Sequence, residues 1–178
     1  MAETVNKVVE LPTVKSSFGG MVECNAGVSS AKYCFGWQPN SQLSLLFGNK
    51  NSFGGKVFIG AGIGYNTTFV DANSHTVSFL PLFIRLQRAL SNKRTAPYVA
   101  MDGGYAFALN SNYKGAVMIR ISTGLTRRIS YKTSLIVGIY AGIQSFSTTL
   151  TEINQFGTYS YYGKTTMNNV GAKVGLMF

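Results

Sequence analysis

From about residue 17 onward the chain repeats one local pattern, in which apolar side chains take every second position and glycine or polar residues fill the positions between. Val57, Ile59, Ala61, Ile63 and Tyr65 alternate with Gly60, Gly62, Gly64 and Asn66, and Val170, Ala172, Val174, Leu176 and Phe178 alternate with Asn169, Gly171, Lys173 and Gly175. A period of two places the first set of each stretch on one face of an extended strand and the second set on the other. The last strand is informative because terminal residues of a soluble domain usually fray into water. Leu176-Met177-Phe178 therefore needs a reason to be apolar, and closing a sheet inside a membrane supplies one.

No stretch approaches the roughly 18 apolar residues of a transmembrane helix, and no segment has a convincing helical period. If the chain enters a membrane it must do so as a closed barrel, because lipid tolerates no unpaired sheet edge. Composition agrees: hydrophobic residues make up 46% and aromatics 13%, while charged residues make up only 12% of 178, about half the usual share for a soluble domain. The length fits one domain. A soluble barrel holding a small apolar ligand is the alternative of a different class. The discriminator is the apolar face. Here the bulky aliphatics lie opposite Glu23, Asp102, Arg120 and Lys173, so a soluble version would expose an apolar belt far above the few hundred Å² normally tolerated.

Residues 1–16 read as a polar, irregular extension interrupted by Pro12, and 17–178 as the barrel domain. Eight strands are expected, at about 17–28, 42–50, 56–67, 75–88, 97–109, 115–126, 133–146 and 165–178. Pro81 predicts a bulge in the fourth. The connections after the odd-numbered strands carry Trp37, Asp71, His75, Lys114 and the cluster Tyr159, Tyr161, Tyr162; the longest loop is expected at 147–164. Those after the even-numbered strands are short and basic, drawing on Lys50, Lys56, Arg88, Lys93, Arg94, Arg127, Arg128 and Lys132. An up-and-down barrel sends the two sets to opposite ends.

This succession resembles the small eight-stranded outer-membrane barrels, of the kind represented by the OmpA transmembrane domain, OmpX and Ail. The marks are the alternating final strand with Phe178 as its C-terminal signature, the run Gly60-Ala61-Gly62-Ile63-Gly64-Tyr65, and the alternation of loops and turns. The resemblance implies an all-β, eight-stranded antiparallel barrel in the outer membrane of a Gram-negative bacterium, with loops outside and termini periplasmic. It also implies contact with outer-membrane lipids and lipopolysaccharide, and with the barrel-assembly machinery during insertion.

Inward positions carry Glu23, Arg85, Asp102, Arg120 and Lys173. Charges inside a narrow barrel must be paired or hydrated. Strand order allows Arg85 to meet Asp102, and Glu23 to meet Lys173 across the closing seam. A salt-bridged plug is expected rather than an ion path, because an eight-stranded interior has little free space; a small channel for ions or solutes is the runner-up. Trp37, Tyr159, Tyr161 and Tyr162 are the candidate surface contacts, since amphipathic tyrosines give contact area at low entropic cost. The expected role is structural, adhesive or accessory, with a protein partner at the loops or at the basic rim, where residues 1–16 could serve as a tether.

Enzymatic activity is not expected. His75 is the sole histidine, and its proximity to Ser74 and Asp71 in one loop does not create a nucleophile, base and orienting group. No cofactor or metal is implied. The net charge of +10 is consistent with anionic lipid or an acidic partner, but basic residues confined to inter-strand gaps do not describe a nucleic-acid module. Met1-Ala2-Glu3-Thr4 is not the start of an uncleaved secretory signal. Cys24 and Cys34 are read as two small apolar residues, although they could pair in an oxidising compartment.

Overall fold

The computed structural model describes residues 18–31, 36–55, 57–69, 76–111, 113–130, 132–154 and 157–178. The strands are β1 Phe18–Ala31, β2 Gln38–Asn51, β3 Val57–Phe69, β4 Thr76–Ala89, β5 Thr95–Ala108, the two-residue β6 Tyr113–Lys114, β7 Ala116–Arg128, β8 Ser134–Asn154 and β9 Gly157–Met177. One helical turn, Ser52–Gly55, joins β2 to β3. Each long strand pairs antiparallel with its sequence neighbour, and β9 also pairs with β1 from Met21↔Met177 to Ala31↔Met167. Eight long strands thus close on themselves.

Alternation in the sequence becomes inside and outside in the wall. In β4, Phe79, Pro81, Phe83, Arg85 and Gln87 are buried, while Leu82, Ile84 and Leu86 are exposed. The same division repeats around the wall, with Phe47, Ile63, Met101, Ile121, Ile139 and Val174 on the outer surface. Backbone groups are spent on neighbouring strands, which is what a bilayer demands of a spanning sheet. Among the described residues no helix is long and apolar enough to cross a membrane.

Three expectations need correction. β2 starts at Gln38, so Pro39 and Asn40 belong to the wall and Asn40 points inward, not into a loop. Pro81 causes no bulge: the β3–β4 register is the same at Asn66↔Phe79 and Ile63↔Leu82, and Pro81 pairs with Ala106 of β5. The ladder to β3 simply skips Gly64 and Tyr65 on the side where proline offers no N–H. Finally, most of 147–164 is not loop. β8 and β9 continue as a hairpin, paired from Ser134↔Met177 up to Asn154↔Gly157. Thr and Tyr suit strands, but this stretch lacks the strict alternation of apolar with glycine or polar residues that marks the rest of the wall.

Gly62 shows why β3 carries glycine at inward positions. A Cβ there would lie 2.6 Å from the Phe83 ring and 2.9 Å from Leu46, so the missing side chain is the space those two occupy. Gly62→Val is expected to cost about 1–3 kcal/mol through overpacking. Urea unfolding in lipid vesicles, followed by heat-modifiable gel mobility, reads this directly; an unchanged midpoint would mean that the interior has slack at Phe83.

Candidate functional site

β1, β4, β5, β7 and β9 each deliver one charged side chain to the same level of the interior: Glu23, Arg85, Asp102, Arg120 and Lys173, none more than 5% exposed. The wall register sets Arg85 opposite Asp102 and Asp102 opposite Arg120. Arg85 grips Asp102 as a fork, Nε donating to Oδ1 at 2.6 Å and Nη2 to Oδ2 at 2.8 Å. Its Nη1 crosses the lumen to within 2.5 Å of Glu23 Oε1. Arg120 donates from Nε to Asp102 Oδ2 at 2.9 Å and from Nη1 to Gln42 Oε1 at 2.7 Å. Lys173 Nζ lies 3.3 Å from Glu23 Oε1 and donates to Ser122 Oγ at 3.0 Å.

Both pairings read from strand order are present, joined into one cluster by Arg85. Gln42 and Ser122 were not singled out from the sequence, although both occupy inward positions of their strands. Aromatic faces complete the surroundings. The Arg120 guanidinium lies 5.6 Å from the ring centroids of both Phe83 and Tyr140, and Lys173 Nζ lies 5.8 Å from that of Tyr98.

The cluster is enclosed. Towards the short turns, Met21, Leu46, Phe58, Tyr98, Ala100 and Ile136 form a buried apolar layer. Towards the loops, Val77, Phe79, Ala106, Met118, Phe146 and Met167 form another. Beside the second, polar side chains from the opposite wall link up: Tyr140 OH donates to Asn40 Oδ1 at 2.9 Å, Asn40 Nδ2 donates to Ser29 Oγ, and Ser29 Oγ donates to Asn169 Oδ1 at 2.5 Å. A cavity between Arg120, Gln42, Tyr140 and Gln144 has a volume of about 20 Å³, room for a single water. Chemically, this is a charge-paired plug in which each carboxylate is held by two cations.

The basic residues of the turn end are divided by the wall. Lys50, Lys93, Arg94 and Arg128 surround an open cavity of about 420 Å³ at the mouth. Arg88 and Arg127 instead lie on the outer face and Lys132 is exposed in the turn before β8, so the expected single cluster is two sets. Lys56 lies outside the described residues. At the same end Phe178 N donates to Gly20 O at 2.9 Å, Gly20 N donates to Phe178 O at 2.8 Å, and the Phe178 ring covers Gly20 on the outer wall.

At the loop end Trp37 is 59% exposed. The backbone of Tyr159, Tyr161 and Tyr162 lies in β9 of the projecting hairpin; their side chains are outside the description, as are residues 1–17, Asp71, Ser74, His75 and Cys34 entirely. Cys24 is a free, exposed thiol on the outer wall. Among the described residues no group of His, Cys, Asp and Glu is arranged to hold a metal ion.

No family model matches the chain, and no curated protein matches its sequence. Solved structures do match. The crystal structure of the outer membrane protein OprG from Pseudomonas aeruginosa superposes with a TM-score of 0.59 at 14% identity, over 92% of this chain and 96% of that one. The fold is that of the small eight-stranded outer-membrane barrels. Neisserial surface protein A, NspA, gives a TM-score of 0.53 at 10% identity, covering 89% of this chain and 95% of its own. The outer membrane protein AlkL, solved by solid-state NMR in DMPC lipid bilayers, gives 0.50 at 12%, covering 100% and 97%. The likeness is one of architecture.

Proposed function

We propose that this chain is an integral outer-membrane barrel of a Gram-negative bacterium, with loops outside and termini periplasmic, that works through its surfaces rather than through a solute path. The observation that carries this reading is the plug: the paired charges of Glu23, Arg85, Asp102, Arg120 and Lys173 sit between two apolar layers. Outward aliphatics such as Ile84 and Ile139 support the membrane setting, where lipid and lipopolysaccharide cover them. The barrel-assembly machinery would insert it. A role in catalysis draws no support from charges that are engaged with one another.

The surface best suited to a protein partner is the β8–β9 hairpin. Among the described residues, β9 pairs with β1 from Met167 onward, and β8 pairs with β7 as far as Gln144 and with β6 as far as Tyr113↔Thr148. Toward its tip, among the described residues, the hairpin is held by the pairing of β8 with β9 alone. Strand edges of this kind accept an added strand from a partner, which favours a structural, adhesive or accessory role over a channel.

Purified barrels in planar bilayers are expected to show no sustained large conductance, and an epitope inserted between Asn154 and Gly157 is expected to bind antibody on intact cells. Sustained large pores would remove the plug from the reading. An epitope reached only after cell lysis would reverse the orientation.

A further inference from the structure

The turn-end mouth is a built pocket. Lys50 comes from the end of β2, Lys93 and Arg94 from the β4–β5 turn, and Arg128 from the end of β7, so four cations from three connections converge on one cavity of about 420 Å³. Two are fastened by main chain: Arg128 N donates to Arg94 O at 2.8 Å, and Arg94 Nε donates to Arg128 O at 3.3 Å. Among the described residues the lining contains no acidic side chain; its other polar members include Gln87, Ser91 and Asn92, over a floor with Phe58 and Met177. Gln87 is only 5% exposed.

From this we infer that the mouth is a binding site for a ligand carrying a diphosphate or two neighbouring phosphate groups. Cations brought together repel one another unless an anion joins them, and the size falls within the range of small-ligand pockets. Guanidinium forks match phosphate oxygens in geometry, and ammonium groups act beside them as point charges. A diphosphate supplies several negative charges in a small volume; carboxylates would need as many separate groups to do so. The site lies at the opposite end from the hairpin and stands independently of the reading of that surface.

The test is calorimetric titration of inorganic pyrophosphate into the folded barrel in zwitterionic detergent at low salt. Saturable one-to-one binding is expected, weakened at least tenfold in R94Q/R128Q. The matched double variant R88Q/R127Q, which removes the same charge from the outer face, is expected to bind as the parent does. Heat-modifiable mobility verifies that both variants are folded. Absence of saturable binding, or equal weakening in the two double variants, overturns the site, the latter because only diffuse charge would then be acting. Repeating the titration in nanodiscs with and without anionic phospholipid identifies the source of the phosphate. Competition by anionic lipid supports a lipid headgroup as occupant; undiminished binding supports a soluble one.

Discussion

Asp102→Leu is expected to destabilise the barrel by about 3–5 kcal/mol, the cost of stripping a buried charge cluster of a partner. Asp102 accepts the Arg85 fork and the Arg120 Nε hydrogen bond while 1% exposed. Without it three buried cations face Glu23 alone. A second substitution, Arg120→Met, removes one of those cations and brings the buried net charge back to that of the parent. The double variant D102L/R120M is therefore expected to be less destabilised than the two single changes added together, with a coupling of about 1 kcal/mol or more. Urea titration in vesicles measures all four states of the cycle. Strict additivity would show that hydrated side chains, not paired ones, fill the interior.

Ile121→Arg tests the other face. Ile121 is 59% exposed on the outer wall, between Met101 of β5 and Ala141 of β8. In a bilayer, an arginine on the lipid face near the middle of a barrel costs about 2–4 kcal/mol. On a soluble ligand-binding barrel the same change would replace an exposed isoleucine with a solvated charge, and such surface changes stay within about ±0.5 kcal/mol. The two classes of function thus differ in the size of a single measured effect. Unfolding of I121R in vesicles at the parent's urea midpoint would sink the membrane assignment.

Much of the fold was legible because it is local. Leu82, Ile84 and Leu86 against Phe83, Arg85 and Gln87 name the two faces of β4 without reference to any other strand, and β3 does the same with its glycines. Pro81 misled because a missing N–H disrupts a ladder only if the partner strand needs it there; pairing with β5 continues through it. The β8–β9 hairpin was obscured for the opposite reason. Its threonines and tyrosines favour strand, but they follow one another without the alternation of apolar and polar residues that marks the other strands.

The charged interior was legible in membership and partly in pairing. Arg85 and Asp102 occupy adjacent strands, and Glu23 and Lys173 occupy the strands that meet on closure. The contact between Arg85 and Glu23 was not legible, since β1 and β4 are not neighbours in the wall and come within reach only across the lumen. The division of the turn-end basic residues had a usable signal, because Arg88 and Arg127 fall on the outward parity of their strands. What that signal lacked was the curvature that gathers Lys50, Lys93, Arg94 and Arg128 around one mouth.

The sequence by itself determined which side of each strand faces lipid and which faces the lumen, because side chains alternate with a period set by one strand's own backbone. It also determined that the sheet should close, because strands so apolar on the outside leave no place for an unpaired edge. Only the tertiary structure decided that five charges form one cluster, that apolar layers cap it on both sides, that the hairpin outgrows the wall and that four cations share a pocket. Each of these depends on register and curvature accumulated over eight strands, and distance across a closed barrel is not encoded in any one of them.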